Sequence, residues 1–122
     1  MGHGKPSGSL RITLSVMAPL NWYYMWTTGA HRVSLTINLD PRKSYLVTGG
    51  FVQTDGDDYS HAFISETCSG GGDEELCGVR EYPGHDDTDL NLFEFIDGAL
   101  NVTLTLRSNG GRHRVEGSVF EL

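Results

Sequence analysis

The stretch Leu100-Asn101-Val102-Thr103-Leu104-Thr105-Leu106-Arg107 decides the fold class, because apolar and polar residues alternate along it without a break. Successive side chains of a β-strand point to opposite faces, so this alternation gives one apolar face and one polar face. The same period recurs at residues 11–16 and 33–39. A helix would spread these apolar residues around its circumference. The pattern therefore predicts three strands of a sheet with one face towards water, which is typical of antiparallel pairing.

Further strands are predicted wherever aromatic and β-branched residues cluster. These segments are residues 22–27, 45–54, 60–67 and 112–120, with shorter strands at 79–82 and 90–96. Gly49-Gly50 interrupts one segment and predicts a bulge or a sharp bend there. Asp40-Pro41-Arg42-Lys43 has proline at the second position of a tight turn.

The sequence predicts one all-β domain of about eight to nine strands over residues 10–122, preceded by a flexible polar leader at residues 1–9. Asp97-Gly98 and Ser108-Asn109-Gly110-Gly111 have the composition of hairpin turns, so consecutive strands are expected to pair. This expectation slightly favours an up-and-down β-barrel of calycin-like architecture over a β-sandwich.

Charge is distributed unevenly along the chain. The net charge is −7, and residues 55–97 contain thirteen acidic residues and one basic residue. Nucleic acid is not an expected partner, because phosphate binding needs a concentrated basic surface. The acidic region is typical of solvated loops that face water, and the alternative is a surface for metal ions or for a basic partner protein. The chain shows neither a long apolar run nor a signal peptide, so no membrane association is expected and a cytoplasmic location is favoured.

The aromatic block at residues 22–26 is the first candidate site. Trp22, Tyr24 and Trp26 share one face of a predicted strand. Together with His61 and Phe63 they are predicted to bind a small apolar or aromatic molecule inside the barrel, because flat apolar walls with a few polar tips suit such a ligand. Ordinary core packing of the same rings is the alternative.

Two groups of polar residues are weaker candidates. The acidic loops Asp55–Asp58 and Asp86–Asp89 have spacings that suit calcium ligands, but neither matches a complete calcium loop. Cys68 and Cys77 enclose a short loop that a disulfide could close if the two strand ends are neighbours. The sequence predicts no cofactor and no metal site, since no histidine pair or cysteine cluster has ligand spacing.

Three functional hypotheses follow. The first is non-catalytic binding of a small apolar or aromatic ligand within a barrel. The second is a β-sandwich module that binds a protein or a glycan through an exposed face or edge, or that forms a homodimer. The third is an enzyme that uses a pocket pair such as His61 with an aspartate, although no catalytic motif supports it.

Overall fold

The computed structural model describes residues 9–15, 20–28, 32–54, 60–68, 76–84, 89–108 and 111–122. This part of the chain is built from β-strands, as predicted. The strands are β1 (Ser9–Ser15), β2 (Leu20–Thr28), β3 (Arg32–Asn38), β4 (Ser44–Thr54), β5 (Ser60–Cys68), β6 (Leu76–Gly84), β7 (Asp89–Asp97), β8 (Ala99–Ser108) and β9 (Arg112–Glu121). In the described ranges no helix is long and apolar enough to span a membrane.

The strands form two sheets. The five-stranded sheet has the order β1-β3-β8-β5-β6, and the four-stranded sheet has the order β2-β9-β4-β7. Strand β1 runs parallel to β3, and the other paired strands are antiparallel. Neither sheet closes on itself among the described strands. A sandwich-like arrangement fits this topology, and the expected up-and-down barrel is not supported.

The connections from β7 to β8 and from β8 to β9 cross between the two sheets, whereas the predicted barrel requires consecutive strands to pair. Strands β7 and β8 lie in different sheets although only Gly98, with a φ of 72°, separates them. Strands β8 and β9 also lie in different sheets. The predictions of hairpins at Asp97-Gly98 and at residues 108–111 were therefore wrong. A turn signal shows that the chain reverses, but it does not show whether the next strand pairs with the last one or crosses to the facing sheet.

The core lies between the two sheets and takes side chains from both. Val33, Leu35 and Leu104 of the five-stranded sheet are fully buried, as are Val47 and Phe51 of the four-stranded sheet. The apolar residues follow the period-2 pattern that predicted the strands. The polar residues Ser34, Thr36 and Thr105, which alternate with them, are buried as well, so the predicted water-facing side is not exposed at the centre of the five-stranded sheet. The inward positions of edge strand β1 are less well covered, and its three apolar side chains are exposed. These are Leu10, Ile12 and Leu14.

Two glycines allow the sheets to approach closely. Gly49 and Gly117 pair across β4 and β9, and a Cβ at Gly117 would lie 2.6 Å from Leu104 Cδ1 of the facing sheet. The register of β4 runs through Gly49 and Gly50 without a shift, so the predicted bulge is absent there. The irregularity falls instead near the end of β5, around Thr67.

The predicted turn after β3 is confirmed. The Lys43 amide donates to the Asp40 carbonyl at 3.0 Å, and the Arg42 amide and side chain donate to the Asp40 carboxylate. The hydrogen bonds from Arg42 lower the pKa of Asp40 to about 2. The turn connects β3 of the five-stranded sheet to β4, one of the two central strands of the four-stranded sheet.

Candidate functional site

The outer face of the four-stranded sheet carries the most exposed aromatic side chains of the described residues. Val47 and Val119 are buried in the core, so the residues that alternate with them face away from the five-stranded sheet. On edge strand β7, Ile96 is buried, whereas Phe93 and Phe95 are 68% and 72% exposed. Two such rings leave in water a large apolar surface of the kind that proteins usually bury.

Cross-strand pairing extends these two rings into an apolar patch. Phe95 pairs with Leu46 of β4, and Leu46 pairs with Phe120 of β9. Phe120 is exposed and Leu46 is half-buried. The apolar patch is defined here as Leu46, Phe93, Phe95 and Phe120. Contiguous exposed apolar surface on a folded domain commonly marks a site of interaction.

A shallow depression of about 360 Å³ lies beside the apolar patch. The Glu116 side chain lies directly against Gly50, since an added Cβ there would stand 2.9 Å from Glu116 Cγ and 3.0 Å from Glu116 Oε1. Phe93 belongs to both the apolar patch and the depression. The lining residues are Thr48, Gly49, Gly50, Asn91, Leu92, Phe93, Glu116, Gly117 and Ser118.

Glu116 gives the depression its charge. Arg114 approaches it on the same strand, with Nη2 3.8 Å from Glu116 Oε1, and both side chains are partly exposed. This separation is longer than a hydrogen bond, so Arg114 offsets the charge without occupying the carboxylate oxygen. The Glu116 carboxylate only accepts hydrogen bonds, whereas the side chains of Asn91, Thr48 and Ser118 can accept or donate them.

The predicted aromatic residues lie on β2 at the other edge of this sheet. Trp22, Tyr24 and Trp26 pair with Ser118, Glu116 and Arg114. Directly paired positions belong to the same face of a sheet, so the backbone register places these three positions on the face of Ser118, Glu116 and Arg114. Their side chains lie outside the described part of the structure. Met25, between two of them, is buried.

His61 and Phe63 lie elsewhere. Both belong to β5 in the five-stranded sheet, where they alternate with the buried residues Ala62 and Ile64. Their ring centroids are 6.1 Å apart and the rings are tilted by 51°. The backbone therefore assigns the five predicted ligand-binding residues to two different sheets. A shared barrel interior is not supported, and ligand binding by either group remains a prediction.

A buried polar cluster joins the two sheets at one end of the core. Ser108 Oγ of β8 lies 2.5 Å from His113 Nε2 of β9. Ser60 pairs with Ser108 and Gln53 pairs with His113, and all four side chains are buried. Buried polar groups that contact each other in this way restrict how two sheets can be aligned. Because solvent does not reach them, we treat them as structural.

The two cysteines and the two acidic loops are the remaining candidates from the sequence. Cys68 is disulfide-bonded, and Cys77 is the only other cysteine of the chain. Most of both acidic loops, residues 55–58 and 86–88, lies outside the described residues. Among the side chains that are described, no group of three or more His, Cys, Asp or Glu is arranged to hold a metal ion.

Sequence reasoning missed Phe93, Phe95 and Glu116 as candidate site residues. A usable signal was present at residues 90–96, where both phases of the alternation contain apolar residues, interrupted by Asn91 in one phase and Glu94 in the other. Leu90, Leu92 and Ile96 supply the inward phase, so the phenylalanines had to face outward. No comparable signal marks Glu116 or Gly50, because their proximity depends on which strands are neighbours.

No protein-family model matches this chain, and no curated protein matches it in sequence. Its fold is similar to that of PliG from Aeromonas hydrophila, a periplasmic inhibitor of g-type lysozyme, with a TM-score of 0.51 and 12% identity over 94% of this chain and 100% of that one. The Yersinia pseudotuberculosis-derived mitogen matches with a TM-score of 0.48 and 12% identity, covering 83% and 84% of the two chains. The pre-peptidase C-terminal domain of a Bacillus anthracis collagenase matches with a TM-score of 0.40 and 12% identity, covering 98% and 100%.

Proposed function

We propose that this chain is a non-catalytic protein-binding module whose binding surface is the outer face of the four-stranded sheet. The observation that carries the proposal is the exposure of Phe93 and Phe95, at 68% and 72%, within the apolar patch. Aromatic residues are enriched at protein interfaces, where a few of them supply most of the binding energy. A partner that covered the apolar patch would remove both rings from water.

Charge indicates the kind of partner. The chain has a net charge of −7, whereas the outer face itself carries Asp97 and Glu116 together with Arg112 and Arg114. A partner with a positive net charge and an apolar contact surface would be attracted to this chain and associate faster than a neutral one. Two copies of this chain would repel each other through their net charge, so a basic protein is the better partner.

The fold is compatible with this role. PliG, which has a similar fold, is an inhibitor of g-type lysozyme, and so a domain of this architecture can act on another protein. At 12% identity the likeness concerns the fold alone. The specific partner of the present chain has to come from its own surface residues.

Glycan binding is a second candidate, supported by the depression. Asn91, Thr48, Ser118 and Glu116 offer hydrogen-bonding groups beside the Phe93 ring. A sugar ring is recognised by this combination of stacking and polar contacts. The apolar patch is larger than such a ligand needs, which is why we rank protein binding first.

We place the protein in an oxidising compartment. Cys68 is disulfide-bonded, and structural disulfides persist outside the reducing cytosol. This proposal replaces the cytoplasmic location that the sequence favoured. The periplasm, the cell surface and the extracellular medium all meet the requirement.

Photo-cross-linking tests the proposed surface. A photoreactive amino acid is introduced at Phe95 or, as the control, at Arg107, which is exposed on the five-stranded sheet. Each protein is irradiated in the cells that produce it, and adducts are identified by mass spectrometry. We expect one protein to be captured from position 95 and not from position 107, and to bind the unmodified chain once purified. Equal capture from both positions, or a captured protein that does not bind when purified, would contradict the proposal.

A further inference from the structure

The depression beside the apolar patch has one carboxylate in its lining and many hydrogen-bond acceptors. Glu116 supplies the charge, and Asn91 Oδ1 lies close to the position that a Gly50 Cβ would take. Thr48 and Ser118 add hydroxyl oxygens. A ligand that supplies several donors and a positive charge complements this lining better than an anion or a purely apolar group does.

Phe93 adds an aromatic surface at the edge of the same depression. A guanidinium or ammonium group is attracted to the face of an aromatic ring, and a guanidinium can also stack on it. Arginine is both planar and rich in donors, so it can contact the ring and the carboxylate together. Lysine presents a compact charge and is less suited to the flat, open shape of this site.

We propose that the depression receives an arginine side chain of the bound protein, with Glu116 as its charge partner and Phe93 as its stacking surface. This inference rests on the proposed function, because it assigns the chemistry of the partner at one part of the same face. Arg114, 3.8 Å from Glu116, limits the affinity because it is a like charge beside the incoming guanidinium.

Nuclear magnetic resonance titration of the whole chain with N-acetyl-argininamide tests the inference directly. We expect saturable shifts of the amide signals of Gly50, Asn91 and Gly117, with weak binding because the probe is a small fragment. The neutral citrulline analogue should shift these signals at least tenfold less at equal concentration. A methyl glucoside serves as the probe for the glycan alternative.

Three variants assign the binding to the depression. Glu116→Gln removes the charge but keeps the size of the side chain, and Gly50→Ala displaces the Glu116 side chain that lies against it; each should raise the dissociation constant at least fivefold. Asp97→Asn is the matched control, since Asp97 is an acid on the same face that accepts a hydrogen bond from Ser44 outside the depression. Its dissociation constant should stay within twofold of that of the unchanged protein.

The outcomes separate this inference from the proposed function. Absence of saturable shifts, equal binding of the citrulline analogue, tighter binding of the glucoside, or an unaffected Glu116→Gln variant would each overturn the arginine site. None of these results bears on cross-linking from Phe95. Conversely, an arginine site with no partner captured at position 95 would leave the depression as a site and remove the protein-binding function.

Discussion

Replacing Gly117 with alanine is expected to destabilise the fold, because the new Cβ would lie 2.6 Å from Leu104 Cδ1. Carbon atoms in contact prefer a separation of about 3.5–4.0 Å, so roughly 1 Å has to be opened between the two sheets. Overpacking of this kind costs about 1–3 kcal/mol. The alanine also lowers the conformational entropy of the unfolded chain, which stabilises the folded state by about 0.4–1 kcal/mol. The net loss lies between about 0 and 2.6 kcal/mol, and the middles of the two ranges give about 1.3 kcal/mol.

Urea denaturation and thermal unfolding measure this loss. At roughly 4 °C per kcal/mol for a chain of this size, a loss of about 1.3 kcal/mol should lower the thermal midpoint by about 5 °C. Gly50→Ala is the control, since its Cβ would meet the flexible Glu116 side chain on the outer face. Its stability should stay within about 0.5 kcal/mol of the unchanged protein. Leu104→Val, which shortens the side chain that obstructs the Cβ, should recover part of the loss when combined with Gly117→Ala.

Equal free energies of unfolding for Gly117→Ala and Gly50→Ala would refute the close contact between position 117 and Leu104. That result would mean that position 117 does not face Leu104 across the core. A purely additive effect of Gly117→Ala and Leu104→Val would also refute the proposed contact. Either outcome would remove the structural basis for distinguishing the inner face of the four-stranded sheet from its outer face.

Three further predictions concern separate features. Phe95→Ser should leave the free energy of unfolding within about 0.5 kcal/mol, since the ring is already in water; a larger loss in urea denaturation would show that Phe95 supports the fold. Cys68→Ser should lower the free energy of unfolding by about 2–3 kcal/mol, because the disulfide closes a short loop. An unchanged urea midpoint would contradict this stabilisation by the disulfide. Asp40 should titrate with a pKa of about 2 by nuclear magnetic resonance, because Arg42 hydrogen-bonds its ionised form. Since this pKa is lowered on folding, the contribution of Asp40 to stability is present above the ordinary pKa of 3.8 and is lost as the pH falls towards 2. A pKa near 3.8 would contradict the hydrogen bonds from Arg42.

The strands could be predicted because burial on one face imposes a period of two on the sequence. Val33, Leu35 and Leu104 are buried where the alternation places them. Pairing could not be predicted in the same way, because β7 and β8 are separated by one residue and still enter different sheets. The choice between hairpin and crossover depends on which facing surface completes the core, and no local pattern encodes that surface.

The candidate site was hard to predict for a related reason. Phe93 and Phe95 could be found from the two apolar phases of one strand, but the depression combines positions from β4, β7 and β9. Gly50 and Glu116 are far apart in the chain and meet only through strand register. The sequence predicts the aromatic block of β2 as a site, but the face of the sheet to which its positions belong depends on their pairing with β9.

The central claim is that the outer face of the four-stranded sheet binds a protein. The most direct test compares the affinities of Phe95→Ser and Leu100→Ser for the protein captured from position 95, by isothermal titration calorimetry. Leu100 is the matched control, because it is also exposed and apolar but lies in the five-stranded sheet. We predict that Phe95→Ser raises the dissociation constant at least tenfold, as loss of an aromatic hot spot does, while Leu100→Ser changes it less than twofold. Equal effects of the two substitutions, or a larger effect of Leu100→Ser, would contradict the claim.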